Sequence, residues 1–154
     1  MGRMRAKNKA AAIEVMAREC VANQVRMLNR VLTGIYEDEF RPLGLTVSQM
    51  VILALTARQS RVRAAELSRW LQIDASTLSR NIDRMRANGW LEKAPAEDQR
   101  SRPFRLTAAG ERILHAAILA WERAQAKAVR LLGSEGVALL KTVTRNVRSG
   151  KAAD

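Results

Sequence analysis

The sequence predicts a mainly α fold with one small β-hairpin, and three observations carry that expectation. Apolar residues recur at helical spacing over long stretches, as in Val21, Val25, Leu28, Leu32 and Ile35, which alternate four- and three-residue steps. Two shorter stripes, Leu67 with Leu71 and then Leu78, Ile82 and Met85, are separated by the tight turn Gln72-Ile73-Asp74. After them Asn88-Gly89 stops the helix, and Trp90-Leu91-Glu92-Lys93 and Phe104-Arg105-Leu106 read as strands joined by a polar loop from Pro95 to Arg102. Two helices at a sharp turn followed by a hairpin make a winged helix-turn-helix, here flanked by N- and C-terminal helices suited to dimerisation.

Taken in order, residues 1–9 carry Arg3, Arg5, Lys7 and Lys9 with little to bury, and read as a basic flexible arm. Residues 10–45 hold a long helix from Ala10 to about Phe40, with Ile13, Met16 and Cys20 on an adjoining stripe, ended by Arg41-Pro42-Leu43-Gly44. Thr46 with Gln49 matches a capping box and Leu45 with Met50 a hydrophobic staple, so a second helix runs from Val47 to about Arg58. It opens the lobe 46–106, in which Asp74 caps the helix carrying Leu78, Ile82 and Met85. Residues 107–150 form C-terminal dimerisation helices: Thr107 caps a helix to Leu132, Gly133 stops it, and Ser134 caps a last helix with Val137, Leu140, Val143 and Val147. Apolar stripes on both flanks must be buried against something, and a two-fold dimer covers them economically.

The 154 residues carry a formal net charge of +12, which favours a polyanionic partner, nucleic acid before an anionic membrane. No apolar run reaches the roughly 18 residues a spanning helix needs, and no signal-like stretch follows the basic start, so the expectation is a cytoplasmic chain without a membrane partner. One cysteine, Cys20, and one histidine, His115, make neither a disulfide framework nor a zinc cluster. Without a phosphate loop or a nucleophile paired to a base, the sequence points to no enzyme, no metal and no cofactor.

Basic charge gains meaning from where it sits. At about 100° per residue, Ser76, Arg80, Asp83, Arg84 and Ala87 point away from the Leu78/Ile82/Met85 stripe, with Thr77 on its flank. A helix with that face enters a major groove, so Ser76, Thr77 and Arg80, on its first turns, are the candidates for base edges. Arg84, Arg63 and Arg69 are assigned to phosphates, which set register and affinity without reading sequence.

The wing residues carry a family resemblance. Asp98-Gln99-Arg100-Ser101, followed by Leu106-Thr107-Ala108-Ala109-Gly110, resembles the signature D-x-R-S…L-T-x-x-G of the MarR family of bacterial transcriptional regulators. Thr77-Leu78-Ser79-Arg80 resembles its recognition-helix motif T-L-[ST]-R, and Leu45-Thr46-Val47-Ser48-Gln49 the start of its second helix. The likeness runs from about Val21 to Leu132, and Pro103 departs from the usual strand residue. It implies a homodimer on double-stranded DNA with a pseudo-palindromic operator, Arg100 in the minor groove, Asp98 orienting it, and Arg102 on the backbone.

The resemblance also implies a repressor released by a small aromatic effector, bound between dimer platform and lobe, with Asn23, Arg26, Met50 and Trp121 as candidate lining. A thiol-sensing branch of the family would use Cys20, but Val47 and Met50 stand where its tyrosines are expected and Tyr36 is the one tyrosine in the chain. Cys20 as a small hydrophobe is the simpler reading. The rival from another class is a DNA-compacting protein that binds by charge and has no operator.

Overall fold

The computed structural model describes residues 2–95 and 103–150, in two compact units, Met1–Ile35 and Tyr36–Asp154. The first unit is helical. Helix α1 spans Gly2–Glu19 and α2 spans Val21–Phe40. Two expectations change here. The helix starts at Gly2 rather than Ala10, because the arm is rich in Ala, Lys, Arg and Met, all strong helix formers. And the single expected helix is broken at Cys20. Gln24 Nε2 donates to the Arg18 carbonyl at 3.3 Å, occupying an acceptor at the end of α1, while the Gln24 N–H bonds Cys20 O at 3.0 Å and starts the next helix. Ile13, Val15, Met16, Val21 and Val25 on these helices are all exposed.

The second unit begins with the last turn of α2. A 3₁₀ turn, Arg41–Leu43, follows with Pro42 in it, and Gly44 closes it at φ +66. Helix α3, Val47–Gln59, opens on the expected capping box: Gln49 N–H donates to Thr46 Oγ1 at 3.3 Å and Thr46 N–H to Gln49 Oε1 at 3.1 Å. Helices α4, Ala64–Leu71, and α5, Ala75–Ala87, come next. Strands β1, Leu91–Lys93, and β2, Phe104–Leu106, pair antiparallel with Leu91 opposite Leu106. Val62, between α3 and α4, adds a third backbone segment, bonding Phe104 in both directions at 3.0 and 2.8 Å.

One core runs through these elements. Phe40, Ile52, Leu53, Leu67 and Met85 are fully buried, and Leu78, Ile82, Leu91 and Phe104 nearly so. The predicted stripes of α4 and α5 therefore face inward, each large side chain contributing about 1.5–3 kcal/mol of burial.

Helix α6, Ala108–Arg148, is capped by Thr107, whose Oγ1 accepts from Gly110 N–H at 3.0 Å and donates to Gly89 O. Gly110 must be glycine for a local reason: a Cβ there would lie 2.1 Å from the carbonyl oxygen of Trp90. The Leu106–Gly110 motif is thus the joint between the hairpin and α6. Gly133 interrupts it as expected, leaving helical geometry at φ +68 and ψ 170 and dividing α6 into limbs 108–132 and 134–148. The first limb turns Ala117, Ala120, Ala124 and Ala128 inward and leaves Leu119 and Leu131 exposed. Its Arg123 and Lys127 clamp the largely covered Glu39 at 2.7 and 2.6 Å, and Tyr36 OH donates to Gln125 Oε1. Those two hydrogen bonds, Lys127 first, hold the Glu39 carboxyl below its ordinary range.

Candidate nucleic-acid interface

The interface is built from the turn between α4 and α5. Gln72 takes the left-handed conformation at φ +52, its side chain donating to Arg69 O at 2.8 Å, while Ser68 Oγ donates to Ile73 O at 2.8 Å. These bonds swing the chain so that Asp74 arrives as the cap of α5. Asp74 Oδ1 accepts from Thr77 N–H at 2.8 Å and Ser76 Oγ at 2.5 Å; Oδ2 accepts from Thr77 Oγ1 at 2.8 Å. With the Ser76 hydroxyl first among these donors, the carboxylate is held well below the usual aspartate range, and it is ionised at neutral pH.

From that cap α5 presents Ser76, Arg80 and Arg84 to solvent, with Thr77 half-buried on the flank. Arg80 lies along the helix, its Nε donating to Ser76 O at 3.3 Å and Nη2 to Ser76 Oγ at 3.4 Å. Behind this face Leu78, Ile82 and Met85 are buried, so the helix cannot rotate without opening the core. Asp83 pairs with Arg86 at 3.7 Å, which offsets the one carboxylate further along α5.

The remaining candidates are distributed. Arg63 is exposed at the start of α4, where its N–H is taken by Glu66 Oε2 at 2.7 Å; arginine has no acceptor to return, so this cap is one-sided. Arg69 is exposed and lines a groove with Trp70, Gln72 and Arg148. There Arg148 and Arg58 stack on Trp70, 4.3 and 5.4 Å from the ring centre. In the hairpin Arg105 Nε meets Glu92 Oε1 across the strands at 2.7 Å. Asp98, Arg100 and Arg102 lie outside the described residues.

Of the residues suggested for an effector, Met50 and Trp121 come together. They line a largely apolar groove of about 450 Å³ between α3 and α6, with Val51, Leu55, Trp70 and Leu114. Asn23 and Arg26 are exposed on α2 in the first unit. Cys20 is exposed at the break between α1 and α2, and its neighbour Arg18 is paired with Glu14 at 2.6 Å. Among the described residues no three His, Cys, Asp or Glu side chains gather as a metal site would require, and no single helix is long and apolar enough to cross a membrane.

The sequence marks Asp74 as a cap, and the structure adds its hold on both hydroxyls. The signal was present as an acid followed by Ser and Thr two and three residues on, spacing at which side chains at a helix start meet. The Glu39 clamp had no comparable signal, because its partners lie more than eighty residues away.

Comparison with known proteins agrees with this geometry. A family model described as the MarR family matches residues 43–101. An uncharacterised HTH-type transcriptional regulator of Bacillus subtilis, YwoH, is 27% identical over 90 residues, 58% of this chain, and the multiple antibiotic resistance protein MarR of Escherichia coli is 28% identical over 90 residues. The matches span 66% and 62% of those relatives, less than two thirds of their length. Among solved structures, the Mycobacterium tuberculosis regulator MosR in complex with DNA is 26% identical with a TM-score of 0.73, covering 86% of this chain and 96% of that one. Bordetella bronchiseptica BpsR, at 20% identity and TM-score 0.76 over 88% of this chain and 96% of its own, shares the fold. The stretch that resembles the MarR family holds α3, α4, α5 and the first strand of the hairpin, and the chain shares the winged helix-turn-helix fold of these solved structures.

Proposed function

We propose that the chain is a sequence-specific, dimeric DNA-binding transcriptional regulator, a repressor whose grip on its operator weakens when a small aromatic effector binds. The observation that carries the reading is α5: a fully committed apolar stripe behind, and Ser76, Thr77, Arg80 and Arg84 on the outer side or its flank, at the start of a helix held by Asp74. A net charge of +12 supplies the attraction to phosphate, and Arg63 on α4 adds to the contact set. The M. tuberculosis MosR structure is a complex with DNA, and that of a mutant MarR of E. coli, which shares the fold, is a complex with operator DNA, which supports DNA as the partner.

The exposed apolar faces of α1 and α2, and of α6, are covered by a second copy of the chain. Two recognition helices then meet half-sites about one helical turn apart, and Arg100 on each wing reaches the minor groove beside them, with Asp98 orienting it and Arg102 on the backbone. The effector sits on the groove lined by Met50 and Trp121, whose apolar walls and indole suit a flat ring. In B. bronchiseptica BpsR, DNA binding is regulated by 6-hydroxynicotinic acid, which supports that class of ligand.

The test is selection of bound duplexes from a random pool, followed by affinity at physiological salt. A regulator prefers its selected site over random DNA by about 10³ or more. Equal affinity for both would identify a protein that compacts DNA by charge.

A further inference from the structure

We propose that Asp74 sets the hydrogen-bond polarity of the reading helix: by taking the hydroxyl protons of Ser76 and Thr77 it leaves both oxygens able only to accept, so they select bases at the edge where an amino group is offered. The inference rests on the reading of α5 as a major-groove helix. An ionised carboxylate has no proton to give, so in the contacts at 2.5 Å and 2.8 Å the hydroxyls are the donors. Each hydroxyl has one proton, and each is spent on Asp74.

What remains is lone pairs. One lone pair of Ser76 Oγ already faces Arg80 Nη2 at 3.4 Å, which leaves Thr77 Oγ1 the more open acceptor. In the major groove the groups that match it are cytosine N4 and adenine N6, while guanine N7 and O6 and thymine O4 are acceptors and are refused. Phosphate oxygens are refused for the same reason. Ser76 and Thr77 therefore specify sequence and do not anchor the backbone.

The experiment uses the full chain, the duplex it selects, and Asp74→Asn. The asparagine oxygen in the Oδ1 position still caps Thr77 N–H, since Asn and Asp cap equally well. Its amide nitrogen replaces Oδ2, donates to Thr77 Oγ1 and releases that hydroxyl's proton. The contacted base is located as the one whose preference is flattened by Thr77→Val. Its exocyclic amino group is then deleted, with purine in place of adenine or pyrimidin-2-one in place of cytosine.

The parent should lose about tenfold in affinity on that deletion. Thr77→Val should be indifferent to it, and Asp74→Asn should lose less than about threefold. A parent indifferent to every amino deletion in its site, or an Asp74→Asn variant as sensitive as the parent, would overturn the proposal while leaving α5 as the reading helix. A parent that selects no sequence would overturn both.

Discussion

The lobe from Thr46 to Leu106 and the helices from Gly2 to Ile35 share the same apolar periodicity and put it to different use. In the lobe Leu67, Leu78, Ile82 and Met85 are buried within the chain. On α1 and α2, Ile13, Met16, Val21 and Val25 repeat as regularly and are exposed, from 55% for Ile13 to 72% for Val21. Periodicity states that a face needs cover; it does not state whether cover comes from the same molecule. The short helices of the lobe are crossed by their neighbours, because a sharp turn and a hairpin return the chain on itself. The N-terminal helices have no such return, and a second copy is the cover we propose.

The largest expected effect separates these two kinds of stripe. Met85→Ala removes a fully buried side chain and should lower lobe stability by about 2–5 kcal/mol in urea or thermal unfolding. Val25→Asp, at an exposed position, should leave helical content by circular dichroism intact and shift the chain to monomer in sedimentation. A Val25→Asp protein still dimeric at micromolar concentration would place the covering face elsewhere.

Next in size is the joint between hairpin and α6. Gly110→Ala sets a methyl against the Trp90 carbonyl and should cost about 1–3 kcal/mol, read as a lower melting temperature with dimerisation unchanged. An unchanged melt would mean that the joint yields freely. Arg80→Ala acts on function rather than folding: operator binding should weaken by about 1–3 kcal/mol, with relaxed preference at one position per half-site. Equal loss on operator and random duplexes would make Arg80 a phosphate contact.

The smallest effect belongs to Cys20. Its thiol is exposed, Glu19 adjoins it in sequence, and the neighbouring Arg18 is paired with Glu14. Cys20→Ser should keep operator binding and the response to the natural inducer. Release of the parent by stoichiometric hydroperoxide, abolished in Cys20→Ser, would make the cysteine the sensor.

Much of this was legible in the sequence because it is local. The Thr46/Gln49 capping box, the Asp74 cap, the strand pairing of Leu91 to Lys93 with Phe104 to Leu106, and the Thr107 cap each depend on residues a few positions apart or on a period of two or 3.6. Long-range partners were not legible: Val62 on Phe104, and Glu39 between Arg123 and Lys127, join residues with no pattern linking them. The break at Cys20 was hidden because no proline or glycine marks it and its bond is made by a Gln24 side chain. At the interface, residue types and the helix face were readable, whereas the proton positions on Ser76 and Thr77 required the geometry of Asp74.

The lobe is complete within one chain, and we propose that it reads DNA only as half of a two-fold pair. Sedimentation of the full chain, free and bound to its selected duplex, tests it most directly. The expected result is twice the chain mass for the free protein, two chains on one pseudo-palindromic duplex when bound, and weak binding to a single half-site. A chain that stays monomeric and binds one half-site with full affinity would contradict it.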